Sequence, residues 1–189
     1  MRDAGLDPQV IVSGIAEDSE SAESVPELTA RLAELKAAAV SARIDHGAGT
    51  TAVIGCDSLL ELDGLTYGKP GTPAEARRRW QQMGGHSGWL HTGHHVVLHR
   101  NATITTSTAV ASTLVHFAKL TPDEIDAYVA STEPLHVAGG FTIDGLGGPF
   151  ITGIEGDHHN VVGLSLPLLR SMLNELGISW PSLWRIGRK

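Results

Sequence analysis

Asp57 interrupts a nearly continuous apolar run, residues 51–60. A carboxylate in such a place is costly to bury unless it is paired, bound to a metal or catalytic. An acid of that kind can accept a proton from water or ligate a hard cation; a turn-capping aspartate is the alternative reading. Two lysines could neutralise a polyphosphate. Lys36 sits among apolar residues at helical intervals, and Lys69 lies in Gly68-Lys69-Pro70, a constrained turn where backbone N–H groups can help hold an anion. On sequence grounds alone, either is more often a solvated surface lysine. Glu17 follows a short apolar run and could join Asp57 around a divalent ion, because hard cations take carboxylate oxygens and leave positions for phosphate and water. An exposed loop acid is its alternative.

Other chemistries are excluded on pattern. His94-His95 and His158-His159 suggest zinc, but neighbours in a strand point to opposite faces, and no cysteine or spaced histidine completes a tetrahedral set. Gly145-Leu146-Gly147-Gly148 does not sit between a first strand and a helix, so it is no dinucleotide fingerprint, and the chain has no Walker loop. Cys56 lies inside the apolar run, where a thiol is usually inert.

The elements that must position these residues follow from local signals. Met1-Arg2-Asp3-Ala4-Gly5 reads as the last turn of a helix with glycine past its end. Residues 9–13, Gln-Val-Ile-Val-Ser, read as a short buried strand leading into an acidic loop at residues 14–18. Ser24-Val25-Pro26-Glu27 has capping-box spacing ahead of Leu28, Leu32, Leu35 and Ala39, which predicts a helix carrying Lys36. The apolar run around Asp57 predicts an interior strand, and Asp63-Gly64 a hairpin turn. Thr72-Pro73-Ala74-Glu75 opens a second helix that Gly84-Gly85 closes. Residues 89–118, rich in Val, Thr and Ile with a turn at Arg100-Asn101, predict two long antiparallel strands. Thr121-Pro122-Asp123-Glu124 caps a short helix ending near Ser131. The glycine-dense residues 133–148 form a loop that binds something or turns tightly, and a strand at 149–154 leads to a final amphipathic helix over 161–176 stopped by Gly177. The fold class is therefore α/β, a mixed twisted sheet with flanking helices, in one domain spanning 1–189.

The bulk numbers agree. With 189 residues and 41% hydrophobic content the chain can bury a sizeable core. A formal charge of -7 argues against binding a nucleic-acid polymer, which needs a clustered basic surface, so any phosphate site is local. One cysteine excludes an internal disulfide and fits a reducing compartment. No stretch is apolar enough to span a membrane, and the first residues lack a signal peptide's basic head and apolar middle, so the expected location is cytoplasmic.

Several of these segments, in this order and spacing, resemble the Maf family of nucleotide pyrophosphatases. They are Ala16-Glu17-Asp18, Leu35-Lys36-Ala37, Ile54-Gly55-Cys56-Asp57-Ser58, Gly68-Lys69-Pro70, Thr92-Gly93, Tyr128 with Glu133-Pro134, Ala138-Gly139, and Gly156-Asp157 followed by Val162-Gly163-Leu164. The resemblance implies two lobes around a nucleotide cleft, and cleavage between the α and β phosphates with a divalent cation (Mg, Mn or Co). It implies catalytic roles for Asp57, Lys36 and Lys69, and a metal held by Asp57 and Glu17. Glu17, Thr92, His136 and Asp144 would bind substrate, and the protein would be a homodimer without a membrane partner. Family members normally open with a strand and a Ser-x-Ser-Pro-Arg-Arg loop, which this sequence lacks. The expectation is therefore little or no pyrophosphatase activity for this polypeptide and activity for a version extended upstream, with a non-catalytic nucleotide-binding or division-associated role as the alternative. Leu135-His136-Val137-Ala138-Gly139 and Ile143-Asp144-Gly145 resemble the branch associated with 7-methyl-GTP more than the uridine and thymidine triphosphate branch. Asp144 could accept guanine's N1–H and amine together; a cap on the glycine turn is the alternative.

Overall fold

A computed structural model describes residues 1–17, 20, 22–47 and 49–185. Its centre is a five-stranded sheet in the order β2-β1-β3-β4-β5, with β1 at Thr50–Leu62, β2 at Leu65–Tyr67, β3 at Ser87–Arg100, β4 at Thr103–Phe117 and β5 at Ile151–Glu155. Every pairing in this sheet is antiparallel. The β1–β2 turn is the expected one, with Asp63 and Gly64 both at positive φ, 51° and 73°, as a tight hairpin turn between twisted strands requires.

The helices begin where capping side chains were expected. In α1 (Val25–Ser41), Ser24 accepts from the Glu27 amide; in α2 (Pro73–Met83), Thr72 accepts from Glu75; in α3 (Pro122–Ala130), Thr121 and Glu124 form a complete capping box. The expected last helix, 161–176, is instead two. α4 (His158–Val161) ends at Val162, and α5 (Leu166–Glu175) starts afresh behind Ser165, whose side chain accepts from the Leu168 amide. The break has a local cause: Gly163 at φ 108° leaves helical space, and Pro167 suits only a first turn.

A second difference concerns residues 9–13. They form no strand, and Val10 and Val12 are 81% and 82% exposed. β propensity becomes a strand only through ladder partners, and here the Arg43 guanidinium donating to the Val12 carbonyl is the hydrogen bond made by the segment's described residues. Arg2–Ala4 does make the expected helical turn, closed by Gly5 at φ 84°.

Strand alternation sorts the core. On one sheet face, Leu60, Leu90, Val115 and Phe117 pack with Trp80, Met83, Ile125 and Tyr128 of α2 and α3. Farther along the same strands, Val96 and Leu98 pack with Leu169, Met172 and Leu173 of α5. Between the two clusters lies a polar band, in which Ser58 bonds Thr92 (2.8 Å) and the Asn160 amide donates to Thr113 (3.0 Å) and the Leu90 carbonyl (3.1 Å). α1 lies on the opposite face over Val53 and Val97. No helix among the described residues is long and apolar enough to cross a membrane.

Candidate functional site

The site starts from two glycines. Gly55 of β1 and Gly93 of β3 lie under α1, where an added Cβ would come within 2.2 Å of the Ala33 carbonyl oxygen and 2.1 Å of that of Thr29. Only glycine lets the helix backbone rest directly on the sheet. That contact brings the next turn of α1, with Lys36, over the neighbouring residue on the same strand face, Asp57.

Lys36 Nζ donates to Asp57 Oδ1 and forms an ion pair with Glu17 Oε1 at 2.7 Å. The lysine thus bridges two carboxylates. Asp57 is the buried one, at 8% side-chain exposure, and Glu17 at 39% opens to solvent. Burial pushes the Asp57 carboxyl above its ordinary value; the bond and charge of Lys36 oppose this, Glu17 adds to it, and the charge of Lys69 lowers it. Burial draws the Lys36 ammonium down, but Asp57 and Glu17 together outweigh that and hold it raised. The two directions are compatible because the lysine faces two carboxylates, whereas the aspartate faces one bonded cation and a second acid. The result is a permanent cation next to a carboxylate with heightened proton affinity.

Lys69 is exposed, on the loop after β2, with no hydrogen bond or ion pair to any described residue; its charge is felt at Asp57. Lys36, Asp57 and Glu17 are therefore assembled, with Lys69 within electrostatic reach. The other expected substrate residues share no hydrogen bond or ion pair with this cluster. Thr92 is fully buried on the opposite sheet face, its hydroxyl engaged by Ser58 and donating to the Asn160 carbonyl. His136 is exposed on a helical turn, Glu133–His136. Asp144 lines a cleft of about 460 Å³ with Asp3, His158 and His159. Asp18 lies outside the described residues.

The donor set can be tested against a divalent ion. Among the described residues no three His, Cys, Asp or Glu side chains gather as a complete metal cage. Asp57 and Glu17 offer oxygen donors alone, which fits a hard cation whose remaining positions go to phosphate and water and not a soft or tetrahedral metal. His94 is committed to the Ser165 amide (2.8 Å) and His95 to Thr108 (2.8 Å), on opposite faces.

Two charged residues gain a role only in the structure: Glu133, a motif residue with no role assigned from sequence, and Arg79. Glu133 accepts from the Tyr128 hydroxyl, the Thr142 hydroxyl, and the Leu146 and Gly147 amides, so one carboxylate pins the glycine loop that bears Asp144. Burial would raise it, but these donors win and lower it. Arg79 is nearly buried, at 11%. A signal for it existed: Ala76, Arg79, Trp80 and Met83 share the inner face of α2 at helical spacing.

The family model for Maf-like protein matches residues 1–176. A nucleoside triphosphate pyrophosphatase of Streptomyces avermitilis is 52% identical over 97% of this chain and 87% of its own length. Proteins of the same name from Streptomyces coelicolor and Cutibacterium acnes are 53% and 51% identical, each over 97% of this chain and 87% and 88% of their own lengths.

Proposed function

The chain belongs to the Maf-like protein family, and from that membership and the Lys36-bridged carboxylates we infer that it is a nucleoside triphosphate pyrophosphatase, a hydrolase of acid anhydrides. The observation that carries this reading is Asp57, a buried carboxylate with raised proton affinity held in place by a cation. Hydrolysis of the α–β anhydride needs a proton acceptor for the attacking water and positive charge for the departing pyrophosphate. Asp57 accepts the water's proton as the water oxygen bonds the α phosphorus and the bridging P–O bond breaks. Lys36 holds the Asp57 carboxylate in one orientation, and Lys69, with its ammonium unengaged, meets the charge that accumulates on pyrophosphate. Asp57 and Glu17 would hold a divalent cation (Mg, Mn or Co), which when bound supplies charge neutralisation at the phosphate oxygens.

For the base, 7-methyl-GTP is the proposed substrate. Asp144 supports it: an exposed carboxylate without a hydrogen bond or ion pair among the described residues, on a loop that Glu133 pins from both ends, suits the paired donors of a guanine edge. A cytoplasmic homodimer is proposed on the family resemblance. Pyrophosphate release measured on a panel of 7-methyl-GTP, GTP, UTP and dTTP tests the reading. The expected order puts 7-methyl-GTP first, with Asp144→Asn narrowing its lead. UTP or dTTP leading would overturn the substrate, and no release from any nucleotide the activity.

A further inference from the structure

α2 carries three consecutive arginines, and one of them turns inward. Arg77 and Arg78 are 43% and 52% exposed, whereas Arg79 is 11% exposed and turns its Nε and Nη1 to partners within the protein. Its Nε donates to Glu75 Oε1 at 2.7 Å, its Nη1 donates to the Gly68 carbonyl at 2.5 Å, and its Cζ lies over the Tyr67 ring, 5.3 Å from the centroid. Gly68 is the residue immediately before Lys69. Its carbonyl accepts a second bond from the Gly139 amide (3.0 Å), and the Gly71 amide on the far side of Lys69 donates to the Leu135 carbonyl (3.0 Å).

We propose that Arg79 is a positioning residue for Lys69, fixing the Gly68-Lys69-Pro70 turn to α2 so that the ammonium projects to where the leaving pyrophosphate collects. The proposal rests on the reading of Lys69 as the pyrophosphate-facing cation. Because the Lys69 side chain makes no hydrogen bond or ion pair among the described residues, its reach is set by where its backbone is held, and that backbone is anchored by the Gly68 carbonyl and the Gly71 amide on either side of it. A lysine at position 79 could reach the Glu75 carboxylate or the Gly68 carbonyl, whereas the planar fork of arginine reaches both with its charge over the Tyr67 ring. Glu75, bonded to Arg78 and Arg79, is held down at about 2 and so stays ionised at any working pH.

A double-mutant cycle tests this. Turnover of 7-methyl-GTP, binding of an α,β-methylene nucleotide by calorimetry, and thermal melting are compared for the parent, Arg79→Met, Lys69→Ala and the double variant. In the Lys69 background Arg79→Met lowers kcat/KM or affinity about 10- to 100-fold; in the Lys69→Ala background the same change costs less than about twofold. Arg79→Lys, which keeps the charge and melts close to the parent, remains near the Met variant in activity. Equal losses in both backgrounds, or full activity in Arg79→Lys, would overturn the proposal by reducing Arg79 to general scaffolding. Undiminished turnover and binding in Lys69→Ala alone would instead remove the premise about Lys69, a result visible before Arg79 is altered.

Discussion

Asp57 exposes the residue-scale physics most directly. Its folded carboxyl binds a proton more tightly than an unfolded aspartate does, because burial disfavours the charge. The stability it contributes is thus present below the ordinary aspartate value of 3.8 and is lost as pH rises through the higher folded value. Asp57→Asn keeps a neutral group there at every pH, with Glu17 still paired to Lys36. The variant should therefore melt at or above the parent's temperature at neutral pH while losing about 100-fold or more in turnover, the usual scale for removing a general base. On the proposed role, in which the ionised carboxylate takes the water's proton, the parent's pH–rate profile should rise on its acid side as Asp57 ionises, and that limb should vanish in Asp57→Asn. An acid limb that persists in Asp57→Asn contradicts the assignment.

At the scale of elements, the distance from helix to strand decides whether Lys36 and Asp57 meet. Gly55 and Gly93 have no left-handed backbone to justify glycine; their need is space, since a Cβ would strike the backbone of α1 at Ala33 or Thr29. Backbone cannot swing aside as a flexible side chain does. Gly55→Ala and Gly93→Ala are each expected to cost about 3 kcal/mol or more in urea unfolding, and to lift Lys36 away from Asp57. Gly64 is the opposite case, with φ at 73° and open space around it, so Gly64→Ala should cost only about 1 kcal/mol and leave turnover unchanged. Equal costs at the three positions would show that α1 does not rest on these glycines. The same scale explains why the glycine loop holds its shape: Glu133 supplies two oxygens to four donors from three segments, and charge-assisted bonds of this kind are the stronger ones.

For the whole molecule, the two apolar clusters on one face share β1, β3 and β4, although different helices close them. Loss of either therefore loosens the strands that the other needs. Leu173, buried in the α5 cluster, should cost about 2–5 kcal/mol when changed to Ala, and calorimetry should show a single transition moved down in temperature. Two separated transitions would mean that the clusters melt independently. What the sequence determined alone is what acts over a few residues. Ser24, Thr72 and Thr121 mark helix starts, Asp63-Gly64 marks the hairpin, and the apolar run around Asp57 marks an interior strand, because each satisfies or biases nearby backbone groups. The identity of Asp57 and Lys36 as candidates was also legible, from residue type and from family resemblance. Their pairing was decided by tertiary structure, as they stand 21 residues apart and meet only because α1 settles on two glycines. So were the exposure of residues 9–13, the turning of Thr92 to the far face, and the inward rotation of Arg79. The physical reason is the same in each: burial and partnership depend on which distant segment arrives alongside, and no local backbone preference carries that information.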